Sequence, residues 1–230
     1  MSTDFNHYTD SYRDIINRVA RLSGGSYEYF VEMRLNLMRK KLLTASIKTP
    51  SSILDFGCGI GATALIMRRF FPVAHIVGVD TSHDSIAAAK ELGISNAEFH
   101  CISADNRDLG TSVFDTIYSN GTFHHIALST LPGVVSAVKT SLKPSGNLFV
   151  FENNPRNPLM LKAMRDNPFD EGVVALSAAE MQCVLMSSGF NVKCQEFYAF
   201  FPTWSGPLRA CEPLLRKVPY GAQYLTWAVR

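Results

Sequence analysis

The chain has 230 residues, of which 47% are apolar and 18% charged, with a formal net charge of +2. That length fits one α/β domain with a modest appendage, and the apolar share is enough for a sizeable core. The near-neutral balance gives no electrostatic argument for nucleic acid as a partner. The five cysteines are odd in number and form no C-x-x-C pair, so neither a disulfide framework nor a zinc site is expected. No run approaches the roughly 20 apolar residues of a membrane span, so no transmembrane segment is expected. The N-terminus has no basic region followed by an apolar one. A cytoplasmic protein with reduced thiols is the simplest expectation.

Residues 4–46 carry helical spacing and no strand-like alternation. Ile15, Ile16, Val19, Ala20 and Leu22 share one helical face, and Gly24-Gly25-Ser26 then breaks the pattern. Tyr29, Phe30, Met33, Leu35, Leu37, Met38, Leu42 and Leu43 follow, interleaved with Arg34, Arg39, Lys40 and Lys41. Two helices with solvated basic residues are predicted, with residues 1–47 as an N-terminal helical cap. As a lid, the first helix would bring Tyr8 and Tyr12 to a substrate, beside His7. Residues 48–52 read as a linker into a core domain over 48–230.

Strands are then predicted at 53–56, 75–79, 97–101, 113–118 and 147–152, alternating with helices at 61–70, 82–92, 129–142 and 177–188. A final strand pair follows, from Phe190 to Phe201 and from Gln223 to Val229, around an apolar insertion at about 202–221. Strand–helix alternation implies a mostly parallel sheet covered on both faces.

The stretch from Ile53 to Leu65 is a buried-strand pattern, three glycines at alternate positions, and a helix-compatible segment. It reads D-x-G-x-G-x-G over Asp55, Gly57, Gly59 and Gly61, not the G-x-G-x-x-G of dinucleotide sites. Glycine there permits φ > 0 and close approach of backbone to a ligand. The helix that follows turns free N–H groups toward the same spot. Asp80 ends the second predicted strand 19 residues after Gly61, where an acid can accept both hydroxyls of a ribose. A third strand pattern runs from Ala97 to Asp105.

These three segments in order closely resemble the class I S-adenosylmethionine-dependent methyltransferases. The resemblance implies a Rossmann-like, seven-stranded, mostly parallel sheet with an antiparallel last strand. It also implies S-adenosyl-L-methionine as cofactor. Gly57, Cys58, Gly59 and Gly61 would wrap its methionine part, and Asp55 would hold the ammonium group directly or through water. Asp80 and Thr81 would take the ribose, and Ala104, Asp105 and Asn106 the adenine.

Phe114 to Ile126 resembles the fourth motif of small-molecule methyltransferases, F-D-x-I-x-S-N…H-H-I. Ligands bind outside the carboxyl ends of strands in open α/β sheets, so Ser119, Asn120, His124 and His125 should border the transferred methyl. Asp115, near the strand start, is expected to be structural. A histidine suits proton removal near neutral pH, so His124 or His125 is a candidate general base. Adjacent residues are not expected both to face one pocket. The two histidines lack a third ligand at telling spacing, so no metal is expected. Glu152 is a third catalytic candidate, and Asn153 and Trp204 join Tyr8, Tyr12 and His124 as candidate substrate contacts. Trp204 and Phe201 are also plausible core residues. The apolar insertion offers a surface to roof the site, to pair with a second copy in a homodimer, or to touch lipid.

The expected function is methyl transfer from S-adenosylmethionine to a small-molecule acceptor, at a hydroxyl oxygen. The alternatives are a non-catalytic protein that binds the same cofactor, and transfer to carbon or nitrogen of a small molecule, a lipid or a macromolecule. An NAD-dependent oxidoreductase is disfavoured by the glycine spacing.

Overall fold

The computed structural model describes residues 25–103, 109–167, 170 and 172–230. The first predicted helix and the lid it would form lie outside them. The chain is first described at the glycine break, where Ser26 caps α1 (Tyr27–Thr44) by accepting from Tyr29 N at 3.1 Å. Thereafter run β1 (Ser52–Phe56), α2 (Ala62–Phe70), β2 (His75–Asp80), α3 (His83–Glu91), β3 (Ala97–Cys101) and β4 (Phe114–Asn120). A 3-10 turn (Phe123–His125), α4 (Leu131–Ser141), β5 (Leu142–Asn153) and α5 (Pro158–Arg165) follow. The chain closes with α6 (Ala178–Ser187), β6 (Asn191–Tyr198), a 3-10 segment (Thr203–Cys211), α7 (Glu212–Leu215) and β7 (Gln223–Val229).

The seven strands form one sheet in the order β3-β2-β1-β4-β5-β7-β6. Strands β1 to β5 pair in parallel, whereas β7 is antiparallel to both β5 and β6. The order reverses between β1 and β4, which is where open α/β sheets bind ligands.

Period-two alternation gives the sheet two cores. Ile53, Tyr118, Phe149, Phe151, Leu225 and Tyr198 pack against Val31, Leu35 and Met38 of α1, Ala64 and Met67 of α2, and Ile86 and Ala89 of α3. Leu54, Phe56, Ile117, Leu148, Val150 and Tyr224 face the other way, against Val135 and Val138 of α4 and Met181 and Leu185 of α6. Helix α1 therefore contributes directly to the main core.

Several expectations are corrected. β5 begins five residues before the predicted 147, because Leu142 already pairs with Phe114; an irregularity in register follows there, and Ser145 has φ 64°. β6 stops at Tyr198 because Ala199 turns the chain at φ 57°. The insertion forms short helical turns with no buried residue, and Trp204 is 79% exposed, so it is not a core residue. The basic residues of α1 are not all solvated: Arg34 is buried and Lys41 pairs with Glu196. Among the described residues no helix is long and apolar enough to cross a membrane.

Asp115 has the structural role expected of it. Its Oδ2 accepts from Ser51 N, Ser51 Oγ and Ser52 N at 2.8, 2.6 and 3.0 Å, and Lys143 Nζ lies 2.8 Å from Oδ1. These donors hold the carboxyl far below the usual carboxylate range, against the opposing effect of partial burial. Replacing Asp115 by Ala leaves two backbone donors at the start of β1 unmatched and should destabilise by about 1–3 kcal/mol. Lys143→Ala, which removes a half-exposed ion pair and a 3.3 Å hydrogen bond to Ser52 Oγ, should cost under about 1 kcal/mol. Urea unfolding of both variants checks the ranking; equal losses would assign the effect to the ion pair.

Candidate active site

The glycine loop connects β1 to α2. Gly57, Gly59 and Gly61 all have positive φ, at 79°, 52° and 76°. A Cβ on Gly57 would lie 2.1 Å from Thr122 Oγ1, and one on Gly61 would lie 3.0 Å from Ala89 Cβ of α3. Backbone handedness and close packing within the chain thus demand the first and third glycines, beyond any ligand approach. Gly57 N and Cys58 N both donate to Val79 O, at 2.9 and 3.0 Å. Asp80 braces the loop by accepting from Gly59 N at 2.8 Å and Ser82 N at 3.0 Å. Each of its oxygens keeps a second lone pair, so the carboxylate can still take two ribose hydroxyls. Helix α2 opens on Gly61 with no side-chain cap.

Asp55 is 2% exposed, and its Oδ2 has no hydrogen-bond partner. Burial, and then the charge of Asp80, push its carboxyl up to about 7. A cationic ammonium at this oxygen would supply the missing partner and restore the charged form. The residues present therefore fit the methionine end of S-adenosylmethionine. Cys58 packs under the loop, where burial and the charges of Asp55 and Asp80 keep its thiol protonated.

The other expected cofactor residues are placed unevenly. Thr81 is exposed after β2, and its carbonyl accepts from Cys101 Sγ at 3.5 Å. Ser119 is buried in β4 with its Oγ unpartnered, and Asn120 ends that strand. Ala104, Asp105, Asn106, Tyr8 and Tyr12 lie outside the described residues. Asn153 Oδ1 accepts from Gln223 Nε2 at 3.0 Å, and Trp204 is on the exposed Thr203–Cys211 segment.

Glu152, His124 and His125 form one cluster. Glu152 is 3% exposed, and its Oε1 accepts from Thr122 N and Phe123 N at 3.0 and 2.8 Å. Its Oε2 is 2.5 Å from His124 Nδ1. Oε1 is thus filled by two backbone donors of the turn, and Oε2 holds the His124 ring. His124 Nε2 lies 3.3 Å from Asp170 Oδ1, and His125 Nε2 lies 3.7 Å from the same oxygen. The two rings are 4.2 Å apart, so adjacency does not turn them to different places. The 3-10 turn and a carboxylate between them account for this.

The two imidazoles differ electrically. Burial opposes a charge on His124, but the charge of Glu152 and the hydrogen bonds to Asp170 and Glu152 outweigh it, and the ring is pushed up to about 10. Burial and then the charged His124 push His125 down to about 4, against the pull of Asp170 and Glu152. The surroundings thus favour the proton on His124 and disfavour it on His125. Asp170 also supplies the third ligand-type group whose absence argued against a metal; its oxygen and the two ring nitrogens lie within 4.8 Å of one another. An imidazolium held between two carboxylates accounts for that geometry as an ion-pair cluster.

Sequence reasoning missed Asp170, Thr122 and Arg34. Asp170 lies 46 residues beyond His124 with no motif around it. Arg34 did leave a trace: Tyr27, Val31, Arg34 and Met38 follow helical spacing, a stripe that α1 turns inward.

Comparison with known proteins agrees with this architecture. The methyltransferase domain family matches residues 27–195, and the chain belongs to that family. Its cofactor class is S-adenosylmethionine, and its fold is the seven-stranded, Rossmann-like one of class I enzymes. Phosphoethanolamine N-methyltransferase 1 of Arabidopsis thaliana is 32% identical over 118 residues, 49% of this chain and 23% of that protein. Malonyl-[acyl-carrier protein] O-methyltransferase of Bacillus cereus is 38% identical over 81 residues, 35% of this chain and 28% of that protein. The matched part spans about a quarter of the length of these curated relatives. Among solved structures, a possible histamine N-methyltransferase from Thermotoga maritima superposes with a TM-score of 0.71 at 16% identity, covering 99% of this chain and 98% of that one.

Two tests follow from the site's construction. Gly57→Ala meets both positive φ and Thr122, and should destabilise by roughly 2 kcal/mol or more. Gly93→Ala, at φ 58° in open space, should cost only about 1 kcal/mol. Chemical denaturation separates them; equal values would make backbone handedness the whole effect. For His124 the folded pKa is raised, so its contribution is complete below the unfolded value near 6.5 and is lost as pH climbs through about 10. The thermal midpoint should fall between pH 7 and 10, and Glu152→Gln should flatten that fall. A slope unchanged in the variant would remove Glu152 as the partner.

Proposed function

We propose that the chain transfers a methyl group from S-adenosylmethionine to a small-molecule acceptor, at a hydroxyl oxygen, with His125 receiving the proton. The observation that supports this is the His125 ring, half-buried on the turn after β4 with its Nε2 3.7 Å from Asp170 Oδ1, at the sheet edge that also carries the glycine loop. Asp55 holds the ammonium of the cofactor, and Asp80 its ribose hydroxyls. When bound, the cofactor supplies a methyl group made electrophilic by the sulfonium. The chain's own contribution is alignment and exclusion of water, with proton removal for a weakly acidic nucleophile. Burial and the charge of His124 oppose a proton on His125, and Asp170 offsets part of that cost as the nucleophile's proton arrives. Glu152 and Asp170 keep His124 protonated, so His124 positions and does not act as the base.

An amine acceptor is the second reading. It is favoured by the match to a phosphoethanolamine N-methyltransferase and by the two carboxylates near the histidines.

Calorimetric titration with S-adenosylmethionine, S-adenosylhomocysteine and NAD tests the cofactor. The two adenosyl ligands should bind and NAD should not. Asp80→Ala should weaken the adenosyl ligands by about tenfold or more, since its ribose partners go unmatched. With an acceptor found by screening, His125→Ala should lower kcat about 10²–10⁴-fold while sparing cofactor affinity. Full turnover in that variant would exclude His125 as the base.

A further inference from the structure

In the histidine cluster one carboxylate makes close contact and the other stands off. Glu152 Oε2 lies 2.5 Å from His124 Nδ1. Asp170 Oδ1 is instead 3.3 Å from His124 Nε2 and 3.7 Å from His125 Nε2. Charge-assisted hydrogen bonds run about 2.7–2.9 Å, so ion pairing explains why these groups gather but not how far apart they stay. Donors held about 2.0–2.1 Å from a tetrahedral zinc ion are about 3.3–3.4 Å from one another, close to both separations. The two histidines and Asp170 each offer one ligand atom, and the three atoms lie within 4.8 Å of one another.

The surroundings suit coordination. Glu152 accepts the Nδ1 hydrogen of His124, which leaves Nε2 as the nitrogen for a metal and fixes the orientation of the ring. Asn167 Nδ2 donates to Asp170 Oδ2 at 2.9 Å, so Oδ1 is the oxygen turned to the rings. The side chains of His124, Glu152 and Asp170 are 4, 2 and 6% exposed and that of His125 20%, so water reaches the cluster from the His125 side. Charge favours a dication there. Two buried carboxylates against one imidazolium leave a negative charge over, whereas a divalent ion between two neutral rings balances both. Two nitrogens and one oxygen select a first-row transition ion over magnesium or calcium, which prefer oxygen.

We infer that His124 Nε2, His125 Nε2 and Asp170 Oδ1 form a binding site for a divalent transition-metal ion of the zinc class, with Glu152 and Asn167 orienting the ligands. Three protein ligands leave a fourth position for water or another donor. A coordinating imidazole is neutral, so the ion takes the place of the proton that His124 otherwise holds. It also occupies the lone pair with which His125 would accept a proton. One consequence therefore rests on the proposed role of His125: zinc inhibits methyl transfer, and a chelator restores it.

The test is calorimetric titration of the full chain with ZnCl2, repeated with CoCl2 while the visible spectrum is followed. Zinc should bind the parent and raise its thermal midpoint, and cobalt should develop the intense visible bands of a four-coordinate ion. Glu152→Gln keeps all three ligands and should lose about 10–100-fold in zinc affinity; His125→Ala and Asp170→Asn, which remove a ligand, should lose more. His100→Ala alters only the exposed group of His75, Glu98 and His100 and should bind zinc as the parent does. Circular dichroism checks that each variant is folded, and if Asp170→Asn is not, His125→Ala decides alone. Zinc affinity unchanged in His125→Ala, or lost only in His100→Ala, overturns the site. The titration needs neither cofactor nor acceptor, so its failure and the failure of the methyl-transfer reading are separate results. Zinc binding with undiminished turnover upholds the site and removes His125 as the base.

Discussion

The buried carboxylate of Glu152 is the joint on which this site depends. It lies one residue before the end of β5 at 3% exposure, so the surrounding chain must supply donors. Thr122 N and Phe123 N fill one oxygen and His124 Nδ1 the other. Those bonds fix the turn after β4, and through it Thr122, whose hydroxyl donates to Phe56 O at 3.1 Å. Thr122 in turn occupies the space that a side chain at Gly57 would need. One chain of contacts therefore runs from the glycine loop, through Thr122 and Glu152, to the histidine pair and Asp170.

The alternation of the strands sorts the charges. Asp55, Tyr118 and Gln223 lie on the face covered by α1, where Arg34 reaches Gln223. Glu152 is one step out of phase with Phe151 and falls on the opposite side, with Tyr224 and the turn that carries His124. The two polar clusters differ in completeness. The one around Glu152 has its carboxylate matched within the chain, which suits a positioning network. The one around Arg34 and Asp55 leaves both charges without an ion-pair partner among the described residues. Unmet buried valence distinguishes places that wait for something from places that merely hold the fold together.

Much of the fold was legible in the residues. The period-two runs at 53–56, 75–79 and 97–101 and the helical runs between them needed only local information, and the glycine spacing separated one cofactor class from another. The errors cluster where local pattern and long-range pairing disagree. Leu142 lies outside the local strand pattern at 147–152, yet its pairing with Phe114 draws it into β5, with residues 143–146 unpaired between. Trp204 reads as core by composition, yet the segment that carries it has no buried residue. The basic residues of α1 read alike, and only the position of the sheet below separates Arg34 from Arg39 and Lys40.

The sequence by itself determined the alternating architecture, the glycine loop and its acid partners, and the pair of histidines as the place to look for chemistry. These are properties of neighbours in the chain, set by spacing and by backbone freedom. Only the tertiary structure decided that a proton is favoured on His124 and disfavoured on His125, because Asp170 is 46 residues away and burial has no local signature. It also decided that Arg34 is enclosed, with no ion-pair partner among the described residues. Electrostatic energies depend on what is close in space and on how much water remains, and neither is written in the order of residues.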